Sequence, residues 1–212
     1  TDKAKDYWKL VIGERGDRAV RKVRKRIPDV SEGYYLRIRE NEIIIAGNDE
    51  RGTLYGLQTL RQLLRSEELP ELEITDFPDV PLRGVVEGYY GTPMDQETHL
   101  RMLQFYGAHK MNIYLYGPKD DPYHSSPYWR KPYPEEKAQE IREMVQTSRE
   151  AGVDFVWAIH PGKDIRWNEA DRDSVRLKLE AMYDLGVRSF AVFFDDISGE
   201  GARAKRQVEL LN

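Results

Sequence analysis

Apolar and polar positions follow two different rhythms along this chain. In the first part, short runs predict a small α+β unit. YWKLVIG (residues 7–13) predicts a strand, and the stretch from Asp17 to Ile27 predicts a helix stopped by Pro28. YYLRIRE and EIIIAG, joined by a tight polar turn around Asn41, predict a hairpin. In NDERGTLYGLQTLRQLL, Leu57, Leu60 and Leu64 fall at helical spacing, which predicts a helix packed on that sheet. ITDFPDVPLRG then breaks the pattern with Pro78 and Pro81, placing a boundary near residues 76–82. The expected domains are residues 1–78 and 79–212.

From Leu82 onward, apolar runs alternate with amphipathic stretches. The runs are LRGVVEGYYG, MNIYLYGP, VDFVWAIHPG and VRSFAVFFDD. Helices are predicted between them, at about Asp95–Lys110, Pro134–Gly152 and Asn168–Gly186, with another starting after Gly201. Nearly continuous apolar strands in a strand–helix repeat imply an α/β fold with a parallel sheet buried on both faces. The residues with chemical capacity sit at the C-terminal ends of those strands: Glu87 to Tyr90, Gly117 to Asp121, His160-Pro161 and Asp195-Asp196. That placement suits a β/α barrel and also an open doubly wound sheet. A full barrel takes about 250 residues, so four repeats would be its first half. An open nucleotide-binding sheet would need a Gly-rich phosphate loop after the first strand, and none is present.

Composition narrows the classes. With 40% hydrophobic residues and 11% aromatics, the 212 residues can bury a real core. The net charge of −4 comes from mixed signs, which argues against nucleic acid as a partner. One basic stretch, RAVRKVRKRIP at residues 18–28, reads more readily as the solvated face of an amphipathic helix than as an anion-binding patch. There is no cysteine, so thiol chemistry and thiolate metal sites are excluded. No run is long and apolar enough to predict a membrane span. The abrupt start TDKAKDYWKL fits a mature or trimmed chain, and a secreted or periplasmic address is the expectation.

Asp195 and Asp196 form the sharpest local feature. Two adjacent carboxylates repel, so a site must separate their protonation or neutralise one, which yields a donor and an anion. That division of labour is what glycoside cleavage requires. Two rival readings stand beside it: a polar strand end capping the next helix, and a metal site. The second is opposed by the histidines, since His99, His109, His124 and His160 lie on different elements without ligand spacing. Lys119 reads either as a surface lysine or as a donor to a sugar hydroxyl beside Tyr116 and Tyr123. Gly88 would let a ligand approach the backbone, and Tyr90 offers a phenolic hydroxyl and a ring face. Trp129, Trp157 and Trp167 read as core or stacking residues and take no site role.

Together, VVEGYYGTP, MNIYLYGPKDDPYH, DFVWAIHPG and RSFAVFFDDISGEG closely resemble glycoside hydrolase family 84, over roughly residues 80–212. That family contains bacterial β-N-acetylglucosaminidases and O-GlcNAcases. The upstream ENEIIIAGNDERGTLYGLQTLRQLL resembles the small domain before the barrel in bacterial members, and also that of family 20 hexosaminidases. Met94 departs from the pattern, standing where members commonly carry tryptophan.

The resemblance implies a (β/α)8 barrel, first half present, that removes terminal β-linked N-acetylglucosamine with retention and without a cofactor. The substrate's acetamido oxygen would attack the anomeric carbon, giving an oxazoline. Asp195 would orient and polarise the acetamido group, and Asp196 would be the general acid and then base. Gly88, Tyr90 and Lys119 match sugar-binding positions. The implied partners are N-acetylglucosamine-bearing glycans or glycoproteins, and the complementary C-terminal half of the barrel. Two other readings compete: a non-catalytic fragment or one piece of a two-piece assembly, and a metal-dependent barrel hydrolase.

Overall fold

The computed structural model describes residues 7–88, 90–92 and 94–211. They form two compact units, one ending at Pro81 and the other starting at Leu82.

The first unit is a four-stranded sheet in the order β1-β3-β2-β4, comprising β1 (Lys9–Glu14), β2 (Tyr34–Arg39), β3 (Glu42–Gly47) and β4 (Leu72–Asp76). The hairpin β2–β3 is antiparallel as its pattern predicts, with Arg39 opposite Glu42. Its turn takes the left-handed conformation at Glu40, the residue before Asn41. Helix α1 (Glu50–Leu63) starts at Asp49, whose side chain accepts from the Gly52 N–H at 2.8 Å. Tyr55 and Leu60 on α1 pack against Leu36, Ile38 and Ile45 of the sheet.

Two features differ from expectation. The predicted helix at Asp17–Ile27 is a 3-10 helix over Arg21–Arg26. Its β-branched core residues Val20, Val23 and Ile27 are weak helix formers, and its crowded Arg and Lys side chains repel along the same face. The three apolar residues are buried and the charges point outward, so the solvated-face reading fits. Strand β4 is absent from the predicted elements. Its alternation turns Leu72 and Ile74 toward the core of α1, a signal five residues long that the following prolines obscure.

The second unit repeats strand and helix: β5 (Gly84–Glu87), α2 (Gln96–Ala108), β6 (Ile113–Tyr116), α3 (Glu135–Ala151), β7 (Asp154–Ile159), α4 (Glu169–Asp184), β8 (Ser189–Val192) and α5 (Ala204–Leu211). The strands are parallel and adjacent in chain order, so all their C-terminal ends lie along one edge. Asp95 and Asn168 cap α2 and α4 through their side chains. Gly152 ends α3 at φ 72°, a conformation that costs an L side chain energy.

The core joins Leu103 and Tyr106 of α2, Ile141 and Met144 of α3 and Met182 of α4 to Tyr114, Phe155 and Trp157 of the sheet. Strand β7 is buried from Phe155 onward on both faces, as the continuous apolar run predicts. The outer strands are not: Val86 on β5 and Phe190 on β8 are exposed. The long loop after β6 is tied down by Arg130, which holds Asp171 through two nitrogens, each at 2.7 Å, and Asp164 at 2.9 Å.

Candidate functional site

The site grows from the aligned C-terminal ends of β5 to β8. Strand β8 continues past Val192 with one more ladder bond, from Phe193 N–H to the Ile159 carbonyl at 2.8 Å. The chain then turns at Asp195 and Asp196. Asp196 sits at φ 51°, a left-handed conformation uncommon outside Gly, Asn and Asp. Both carboxylates are exposed, but their surroundings differ sharply.

Asp195 is held from two sides. Lys119, most of whose side chain is buried, donates from Nζ to one carboxylate oxygen. His160, fully buried at the end of β7, donates from Nε2 to the Asp195 backbone carbonyl at 2.8 Å and lies 3.3 Å from its Oδ1. Burial alone would raise the Asp195 carboxyl pKa. The Lys119 ammonium outweighs that through its hydrogen bond and charge, holding the group below the usual carboxylate range. Asp196, by contrast, makes no hydrogen bond or ion pair among the described residues. One carboxylate is fixed as an anion and its neighbour is exposed.

Neither aspartate caps the segment that follows. A 3-10 helix over Gly199–Ala202 begins at Ser198, without a side-chain cap. Among the described residues, no three His, Asp or Glu side chains converge as a metal ion requires. The nearest cation to the pair is Lys119.

The other candidate residues flank this centre. Gly88 follows β5, and among the described residues a Cβ built there would meet only Val86, at an ordinary 3.6 Å. Packing within the unit therefore does not demand glycine, which leaves close approach of a ligand as a reason for it. Tyr90 is 65% exposed, with no core role. The Gly91 N–H reaches Asp120 at 3.0 Å, which ties the loop after β5 to the one carrying Lys119. Lys119 spends one of its three donors on Asp195, a partner that its sequence neighbours do not suggest. Trp129 and Trp157 are fully buried and Trp167 packs at the core margin.

Sequence reasoning placed Glu87 and His160 among the strand-end residues with chemical capacity but gave neither a role, and it gave none to His124; all three are buried polar residues behind these strand ends. Glu87 accepts from His99 Nε2 at 3.0 Å and from the Tyr114 hydroxyl. His124 donates from Nδ1 to the Ala158 carbonyl at 3.1 Å, and its own carbonyl accepts the His160 N–H at 2.8 Å. The only signal for His160 in the sequence is its place at the end of an apolar run, since its partner Asp195 lies 35 residues on.

His124 also predicts a pH response. Burial lowers its pKa to about 4, against a smaller upward pull from Asp121. Between pH 6.5 and about 4 the unfolded chain takes up this proton and the folded chain does not, so stability falls as pH falls through that window. Replacing His124→Gln should flatten this part of a denaturation-midpoint profile measured from pH 7 to 4. An unchanged slope would assign the effect to other groups.

Residues 83–212 match the family described as beta-N-acetylglucosaminidase, and residues 13–77 match domain 2 of glycosyl hydrolase family 20. The chain belongs to glycoside hydrolase family 84. Its sequence is 37% identical over 128 residues to rat protein O-GlcNAcase, an alignment covering 60% of this chain and 14% of that protein. The structure of CpGH84B superposes with a TM-score of 0.88 at 36% identity, covering 98% of this chain and 43% of that one. A Thermobaculum terrenum O-GlcNAc hydrolase superposes at 0.58 with 32% identity, covering 62% of this chain and 30% of the other. The chain thus spans less than half of each of these relatives. The expected α/β fold, with a family 20-like domain before a partial barrel sheet, is borne out. The matching family model and the rat relative are described as β-N-acetylglucosaminidase and O-GlcNAcase respectively.

Proposed function

We propose that the full-length protein is a retaining β-N-acetylglucosaminidase of the O-GlcNAcase type, working by substrate-assisted catalysis. The observation that carries this reading is the unequal setting of Asp195 and Asp196: one anchored as an anion by Lys119, the other without a hydrogen bond or ion pair among the described residues.

In this reading, the acetamido oxygen attacks the anomeric carbon as Asp196 gives its proton to the glycosidic oxygen, and the bond to the aglycone breaks. Asp195 accepts the acetamido N–H, which orients that group and offsets the positive charge it gains as the oxazoline ring closes. Asp196, now a carboxylate, removes a proton from water. That water attacks the anomeric carbon from the vacated face, reopens the ring and delivers the sugar with its original configuration. Lys119 keeps Asp195 ionised and has further donors for a sugar hydroxyl, while Gly88 and Tyr90 line the sugar from the β5 side. The remaining strands of the barrel would complete the pocket.

Recognition follows from the same chemistry. A sugar lacking the acetamido group would leave the Asp195 acceptor unpaired and would also lack the nucleophile, so plain glucosides should be rejected strongly. Substrates would be glycans or glycoproteins ending in β-linked N-acetylglucosamine.

The test uses aryl β-N-acetylglucosaminides whose acetamido methyl carries zero to three fluorines. Each fluorine weakens the acetamido oxygen as a nucleophile, so kcat/KM on the full-length enzyme should drop stepwise. A flat series would rule out substrate assistance.

A further inference from the structure

The turn that carries the two aspartates has no helix or strand to hold it. Strand β8 ends at Val192, its last ladder bond is made by Phe193, and the 3-10 helix begins only at Gly199. Asp196 is nevertheless kept in a left-handed conformation. Asp adopts this conformation more readily than most side chains, but it still needs contacts that hold the turn in one form.

One contact holds the turn. His160 Nε2 donates to the Asp195 carbonyl, the oxygen of the peptide that joins Asp195 to Asp196. Fixing this oxygen fixes the peptide plane, and with it the direction in which Asp196 leaves the turn. The histidine is itself immobilised. It is 1% exposed, its backbone N–H is bonded to the His124 carbonyl, and its ring meets the edge of the His124 ring at 6.4 Å and 71°. His124, fully buried, is anchored in turn on the Ala158 carbonyl and against Phe193. Nδ1 of His160 is buried and makes no hydrogen bond among the described residues, so the polar work of the ring is concentrated at Nε2. The loop after β6, the end of β7 and the turn after β8 are thereby tied at one point.

We propose that His160 is a positioning residue: through the Asp195 carbonyl it sets the aim of the Asp196 carboxyl toward the leaving-group oxygen. This rests on the acid/base role proposed for Asp196. His160 touches no substrate in this reading. Its effect reaches Asp196 through the geometry of the turn, where a misplacement of about 1 Å can cost about 10²-fold in rate. An effect through the Asp195 carboxylate, whose Oδ1 lies 3.3 Å from the same nitrogen, would fall equally on good and poor leaving groups.

The experiment compares His160→Ala, His160→Gln and His160→Asn in the full-length enzyme. The substrates are two aryl β-N-acetylglucosaminides, one with a good leaving group and one with a poor one. The amide nitrogen of Gln can reach the place of Nε2, whereas that of Asn falls short of it. His160→Ala should lower kcat more than it raises KM, and most on the poor leaving group, which depends on a well-aimed acid. His160→Gln should restore most of the loss and His160→Asn should not.

A folded His160→Ala enzyme with wild-type kcat would overturn the proposal, as would a loss equal on both substrates. Where the Ala variant does not fold, the Gln and Asn pair decides, and equal activity of those two counts against it. Failure of the underlying reading looks different: the wild-type enzyme would be inert on both substrates, or Asp196→Asn would leave the poor substrate's turnover intact.

Discussion

Replacing Asp196→Asn in the full-length enzyme is expected to lower kcat/KM on a poor-leaving-group β-N-acetylglucosaminide by about 10²–10⁴-fold, the usual worth of a general acid or base. The side chain is exposed and makes no hydrogen bond or ion pair among the described residues, so the exchange should leave the fold and its denaturation midpoint unchanged. The loss should shrink as the leaving group improves, because a stable phenolate departs with little protonation. Asp195→Asn should behave differently. In the proposed mechanism its carboxylate acts on the acetamido group, so its loss should persist with the best leaving groups, and Lys119 would be left facing a neutral amide. Two parallel leaving-group plots for the variants separate these roles. Unchanged turnover in Asp196→Asn would remove that residue from the acid/base role.

A second large effect is expected in stability. Trp157 is wholly buried at the centre of the parallel sheet, on β7 between β6 and β8. Its indole N–H donates to the Tyr133 hydroxyl at 3.3 Å, and the two rings meet edge to face at 6.3 Å. Trp157→Ala should destabilise the second unit by about 3–5 kcal/mol, the range for a large aromatic removed from a packed core. The cavity is only part of that cost, because the Tyr133 hydroxyl also loses a donor while still giving its own proton to Asp121 at 2.6 Å. Trp157→Phe, which keeps much of the aromatic volume while losing the N–H and part of the ring system, should cost clearly less. Urea denaturation followed by circular dichroism measures both. A Trp157→Ala variant within about 1 kcal/mol of the parent would mean that the core can collapse around the gap. His160 lies three residues further along the same strand path, so the same variant should also disturb the turn after β8.

Much of this protein is readable along the chain. The β2–β3 hairpin, helix α1 and the strand–helix repeats of the second unit follow from period and punctuation, because each buries a face set by its own residues. So does the clustering of Glu87, Lys119, His160 and Asp195 at one edge: parallel strands connected by helices must bring their C-terminal ends together. The segment Arg21–Arg26 and strand β4 were less legible. In the first, like charges and β-branched residues tilt a helical pattern to the tighter 3-10 form. In the second, two apolar residues at alternate positions make too short a signal to stand out beside Pro78.

By itself, then, the sequence determined the fold class, the family and the two adjacent carboxylates, because local burial and motif order are written in neighbouring residues. The unequal fate of those carboxylates is a tertiary matter. Lys119 reaches Asp195 across 76 positions and His160 reaches it across 35, and neither spacing has a period or motif to announce it. Those contacts exist because the parallel register stacks the strand ends side by side, and charge and hydrogen bonding act through that short distance rather than along the chain.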